Sequence, residues 1–135
     1  MELKWKIKPY GEATLVEVEG EIDLHSAPGF KAALLELSDS LPAHVALDMA
    51  GVTFLDSTGI GALVGILKKT RSNGGQIVFF GAKPRVKRVF EIAGLWGALP
   101  FYESRDAALA VLLPTASPAL TDAPEELTTG GATDG

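Results

Sequence analysis

Hydrophobic periodicity switches along this chain between two and about 3.6, and that alternation constrains the fold more than any other feature. Leu3, Trp5 and Ile7 alternate with Lys4, Lys6 and Lys8, the pattern of a strand with one solvated face. Pro9-Tyr10-Gly11-Glu12 reads as a turn and residues 13–19 alternate again, so the two runs predict a hairpin. Ser26 stands where it can cap a helix that accepts Pro28 in its first turn. Phe30, Ala33, Leu34, Leu37 and Leu41 then share one face until Pro42 ends it. Residues 45–49 are short and mostly apolar, which suits a buried central strand. Residues 52–56 lead through Ser57-Thr58-Gly59 into a second helix. Ile60, Leu63, Val64 and Leu67 are inward on it, bases stand in its last turns, and Asn73-Gly74 is the C-cap. A strand at residues 76–80 and a helix at 84–93 (Val86, Val89, Phe90 and Ala93 inward) follow. Gly94 ends that helix, a short strand covers 99–102, and Ser104 caps a last helix at 105–113. This order predicts an α/β fold, one mixed sheet with helices packed against it.

Composition narrows the function classes. The 135 residues suit one domain, and 47% hydrophobic with 21% charged residues gives a real core. Zero Cys excludes disulfides, thiol catalysis and cysteine-ligated metals, and His25 and His44 are too few for a His-built site. A net charge of −5 argues against direct nucleic-acid binding. Residues 114–135 hold three Pro, three Gly, five Thr and four acids with no base or aromatic, so residues 1–113 carry only −1. We expect a domain over 1–113 and a disordered acidic tail over 114–135. The start of the chain lacks a signal-peptide pattern. The longest apolar run, residues 60–67, falls short of the roughly 18–20 needed to span a bilayer. The expectation is a cytoplasmic protein without membrane or cofactor.

The chemistry concentrates at Thr53-Phe54-Leu55-Asp56-Ser57-Thr58-Gly59-Ile60-Gly61, where a strand hands over to a helix. The plain reading is an N-cap made by Asp56 or Ser57, with glycines allowing close backbone approach. A catalytic serine needs an activating base, and none is evident. The esterase elbow G-x-S-x-G, the paired aspartic-protease signature and the phosphate loop with its Gly-Lys pair all fail to match. The expectation is therefore a non-enzyme.

Four stretches together resemble a family. Gly20-Glu21-Ile22-Asp23, the run from Leu47 through Asp56-Ser57-Thr58-Gly59 to Leu63, Gly74-Gly75, and the run from Pro84 to Leu95 are similar to the bacterial anti-sigma factor antagonists, stand-alone STAS domains. The resemblance spans roughly residues 3–113, in order and with suitable spacing. It implies that Ser57 is phosphorylated by an ATP-using serine kinase that is also the anti-sigma factor, with Thr58 as runner-up, and that a serine phosphatase reverses the step. It also implies that Asp23 lies beside that serine, and that Asp23, His25, Asp56, Ser57, Thr58 and Gly59 face the partner. The implied function is a switch: the unphosphorylated form sequesters the anti-sigma factor, and phosphorylation releases it. The alternative is a structural or regulatory STAS subunit of a transporter or signalling complex, with Ser57 as a helix cap.

Other features read more simply. Lys83-Pro84-Arg85-Val86-Lys87-Arg88 is a solvated helix face that could complement an acidic partner. Gly61 and Gly65 permit close helix packing, Trp5 and Trp96 are packing residues, and His25 is a surface histidine.

Overall fold

A computed structural model describes residues 2–37 and 43–112. Leu41, Pro42, Leu113 and the segment read as a tail lie outside the described residues. The elements run β1 (Lys4–Tyr10), β2 (Ala13–Ile22), α1 (Ala27–Glu36), β3 (His44–Leu55), α2 (Ser57–Ser72), β4 (Gln76–Phe80), α3 (Pro84–Ile92), β5 (Phe101–Tyr102) and α4 (Arg105–Leu112). They build one five-stranded sheet in the order β1-β2-β3-β4-β5. β1 and β2 pair antiparallel as a hairpin, and the other pairs are parallel. The expected mixed sheet with packed helices is what the chain forms. β1 is an edge, and Lys4, Lys6 and Lys8 along it oppose edge-to-edge pairing.

The two faces of the sheet are covered unequally. On one, Val16, Val18, Leu47, Met49, Ile77 and Phe79 pack against Phe30 and Leu34 of α1, Leu63, Ile66 and Leu67 of α2, and Val86 and Phe90 of α3. On the other, Ala13, Leu15, Ala46, Val78 and Phe80 meet Ala108, Leu109 and Leu112 of α4 alone. Burying each of the large side chains contributes about 1.5–3 kcal/mol. Trp5 packs edge-on to Phe30 with centroids 5.3 Å apart, and Trp96 stacks on Phe101 at 4.3 Å, so both tryptophans are packing residues. At the N-terminus of α4, Ser104 Oγ accepts from the Ala107 N–H at 3.1 Å. Nearby, Arg105 reaches Glu17 at 3.6 Å and Asp48 at 4.0 Å, tying α4 to the sheet.

Several local expectations change. Pro9 and Tyr10 belong to β1, leaving Gly11 and Glu12 as the turn. Residues 45–49 and 52–55 form a single strand, whose register against β2 shifts between Glu17 and Glu19 and again between Gly20 and Glu21. Each shift is a bulge, and each reverses which side chains face the core. β5 has only two residues because a 3-10 turn, Trp96–Ala98, takes up the preceding chain. Ala93 is exposed as the α3 C-cap instead of facing inward. Of Gly61 and Gly65 on α2, only Gly65 meets α1: a Cβ there would lie 2.8 Å from Lys31 Nζ, whereas Gly61 faces open space.

Candidate functional site

β2 and β3 end side by side, Ile22 pairing with Leu55, and each hands over to a helix within a few residues. The Asp56 N–H donates to the Ile22 carbonyl at 3.4 Å, so the two hand-overs are stitched together. Gly59 is buried directly beneath them. A Cβ on it would stand 2.5 Å from the Ile22 carbonyl oxygen and 2.7 Å from Leu55 Cδ1. No larger residue lets the first turn of α2 approach β2 so closely. Of the six positions expected to face a partner, Gly59 is therefore the one that sits inside, shaping the site from below.

Asp56 is the N-cap of α2. Its backbone is extended (φ −110°, ψ −174°) and its Oδ1 accepts from the Gly59 N–H at 2.9 Å. That resolves the sequence ambiguity: Ser57 is the first helical residue and not the cap. Its side chain is exposed, whereas Thr58 is half-buried. The opening N–H groups of a helix have no intrahelical partner and carry the positive end of its dipole. No acid stands in the first turn of α2 itself. A phosphate on Ser57 would thus meet a favourable field from the helix and a like charge from Asp56.

The loop leaving β2 is held by a different arrangement. Asp23 Oδ1 accepts from the His25 and Ser26 N–H groups, both at 3.0 Å. The Ser26 hydroxyl accepts from the Asp23 N–H at 2.9 Å and donates to the Glu21 carbonyl at 2.7 Å. The Ser26 N–H foremost, helped by that of His25, holds the Asp23 carboxyl below the usual carboxylate range, against a smaller opposing effect of desolvation. Ser26 occupies the N-cap position of α1 but makes no side-chain cap there, contrary to its expected role. Its hydroxyl is spent inside the loop instead. His25 is exposed, with its backbone engaged by Asp23.

Two features escaped the sequence reading. Leu24 and Phe54 are large apolar residues left exposed beside these hand-overs, at 65% and 44% of full accessibility. Phe54 falls within what reads as a strand, and its outward direction follows from the second bulge, which alternation alone does not locate. Among the described residues no group of three or more His, Asp or Glu side chains could hold a metal ion, and no helix is long and apolar enough to cross a membrane.

The comparisons with known proteins agree with this geometry. The STAS domain family pattern matches residues 4–108. The anti-sigma-B factor antagonist of Listeria monocytogenes is 40% identical over 78 residues, covering 58% of this chain and 68% of its own. The crystal structure of an anti-sigma factor antagonist from Mycobacterium paratuberculosis superposes with a TM-score of 0.71 at 27% identity, over 82% of this chain and 94% of that one. The fold is also that of the anti-sigma factor antagonist SpoIIAA, at 17% identity. Its unphosphorylated form gives a TM-score of 0.71 over 82% of this chain and 97% of its own. Its phosphorylated form gives 0.62 over 81% and 99%. Sequence pattern, relatives and fold converge, and the chain belongs to the STAS domain family, among the anti-sigma factor antagonists.

Proposed function

We propose that the unphosphorylated chain binds and sequesters an anti-sigma factor that is also an ATP-dependent serine kinase, and that phosphorylation of Ser57 releases it. A serine phosphatase would restore the binding form, so that sigma-factor-dependent transcription follows the phosphorylation state. The chain acts by binding, in the cytoplasm, without catalysis, cofactor or direct contact with nucleic acid.

The observation that carries this reading is the division of labour at the start of α2. Asp56 takes the capping bond, so the Ser57 hydroxyl is left exposed at the helix N-terminus. A phosphate there adds about 1.5–2 negative charges to a surface. The helix end offsets that charge within the chain, but a partner docked around Ser57 would meet it desolvated and beside Asp56. The alternative, a structural subunit using Ser57 as a cap, loses support because Asp56 fills that role.

The test is a pull-down from the native cytoplasm with the full chain, followed by incubation of the recovered, purified anti-sigma factor with ATP. Wild type should be labelled, Ser57→Ala should not, and Thr58→Ala should be labelled as wild type is. Label surviving in Ser57→Ala but lost in Thr58→Ala would move the site by one residue. Recovery of no anti-sigma factor would remove the reading.

A further inference from the structure

Five large apolar residues stand exposed among the described residues, and two of them, Leu24 and Phe54, flank the stitched ends of β2 and β3. Leu24 directly follows Asp23, and Phe54 precedes Asp56 by two positions. The exposure of Phe54 is built in. Gly20 pairs with Val52 but Glu21 pairs with Phe54, so Thr53 is the extra residue of a bulge. That bulge returns Leu55 to the core and turns Phe54 out, while the Thr53 hydroxyl donates to the Gly20 carbonyl at 3.3 Å. Bulges beside functional sites commonly re-aim a side chain in this way.

The surface continues from Phe54 toward α3. Val52 and Thr53, the residues just before Phe54, line a cleft of about 300 Å³ together with Lys83, Pro84 and Arg85. Lys83 and Arg85 are exposed, and no carboxylate among the described residues pairs with either. Lys8 and Arg105, in contrast, pair with Glu17, and Lys87 lies over the Trp96 ring at 5.0 Å. Val52 and Thr53 thus link Phe54 along the chain to the exposed cations at the start of α3, a strip that begins two residues before the Asp56 cap.

We propose that this strip, Leu24 and Phe54 with Lys83 and Arg85, is the docking surface for a protein partner whose matching face has an apolar centre and a carboxylate-bearing margin. Exposed aliphatic and aromatic side chains seat in a partner's pockets and supply the larger share of affinity, whereas margin charges steer encounter and fade with salt. The inference rests on the partner-switching reading and adds to it which residues hold the partner and what chemistry it presents.

The experiment uses the unphosphorylated full chain and, as probe, the purified anti-sigma factor identified by the pull-down. Phe54→Ser and Leu24→Ser should each weaken binding at least about tenfold with native circular dichroism. The double reversal Lys83→Glu/Arg85→Glu should weaken it about tenfold at 50 mM salt, and by much less at 500 mM. Lys68→Glu/Lys69→Glu makes the same change of net charge on exposed residues near the other end of α2, roughly 16 Å away along the helix, and should leave binding unchanged. Equal losses from the two double reversals would reduce the basic margin to net charge and overturn the proposal. So would unaltered binding by Phe54→Ser and Leu24→Ser. A wild-type dimer in sedimentation that Phe54→Ser converts to monomer would assign the strip to a second copy of the chain, also overturning it. Failure of the wild type itself to bind would instead overturn the partner-switching reading.

Discussion

Two helices of this chain begin side by side, each from a strand end, each through an aspartate and a serine. In both, the aspartate Oδ1 accepts from the N–H three residues on, but the two serines are used in opposite ways. At α1 the serine is the internal fastener: Ser26 accepts from Asp23, donates to the Glu21 carbonyl, and leaves the N-cap position without a side-chain cap. At α2 the aspartate does the fastening, and Ser57 is displaced one residue beyond the cap. A serine whose hydroxyl is satisfied within a loop is structural, whereas one left over after the helix has been capped is available for chemistry. The availability of Ser57 follows from what Asp56 already does.

Breaking the shared foundation should give the largest effect. Gly59→Ala places a methyl against the Ile22 carbonyl and Leu55, and over-packing of this kind should cost about 2–3 kcal/mol in urea denaturation. Ser26→Ala strands a donor and an acceptor in the first loop and should cost about 1–2 kcal/mol. Asp56→Ala removes the cap, with an expected loss of about 1 kcal/mol. Ser57→Ala, by contrast, should stay within about 0.5 kcal/mol of wild type. If Ser57→Ala proved as costly as Ser26→Ala, the contrast between the two serines would disappear.

The loop aspartate gives a pH signature. Because folding lowers the Asp23 pKa, its contribution to stability is full above the unfolded-state value, near the ordinary 3.8, and is lost as pH falls through the lower folded value. The His25 and Ser26 amide resonances should therefore titrate with a midpoint below 3.8. A midpoint above it would mean that the two N–H groups do not hold the anion in solution. The smallest effect is expected from truncation after Leu113, because residues 114–135 hold no aromatic and only two large apolar residues, Leu120 and Leu127; Tm should shift by no more than a few degrees.

The arrangement of strands and helices was legible in the sequence because Trp5, Phe30, Leu47 and Phe79 obey simple periods. The Asp56–Gly59 hand-over was legible too, since capping chemistry is local. What periodicity missed depends on partners distant in sequence. The bulges in β3 are defined only against β2, so the outward turn of Phe54 and the continuity of residues 44–55 could not be read from β3 alone. Ser26 stood at a correct N-cap position, but its hydroxyl was claimed by Glu21, a competitor outside the helix. The brevity of β5 came from the 3-10 turn and the stacking of Trp96 on Phe101, a contact between aromatic rings that no strand pattern contains.

The central claim is that phosphate on Ser57 switches binding by charge at an interface and leaves the fold intact. The most direct measurement compares protein phosphorylated at Ser57 with the unmodified chain, in melting temperature and in affinity for the purified anti-sigma factor. We expect Tm to change by no more than a few degrees, because the helix N-terminus offsets the added charge. Affinity should fall at least tenfold, corresponding to about 1.4 kcal/mol or more. Phosphorylated protein that binds equally well, or that has lost its native circular dichroism, would contradict the account.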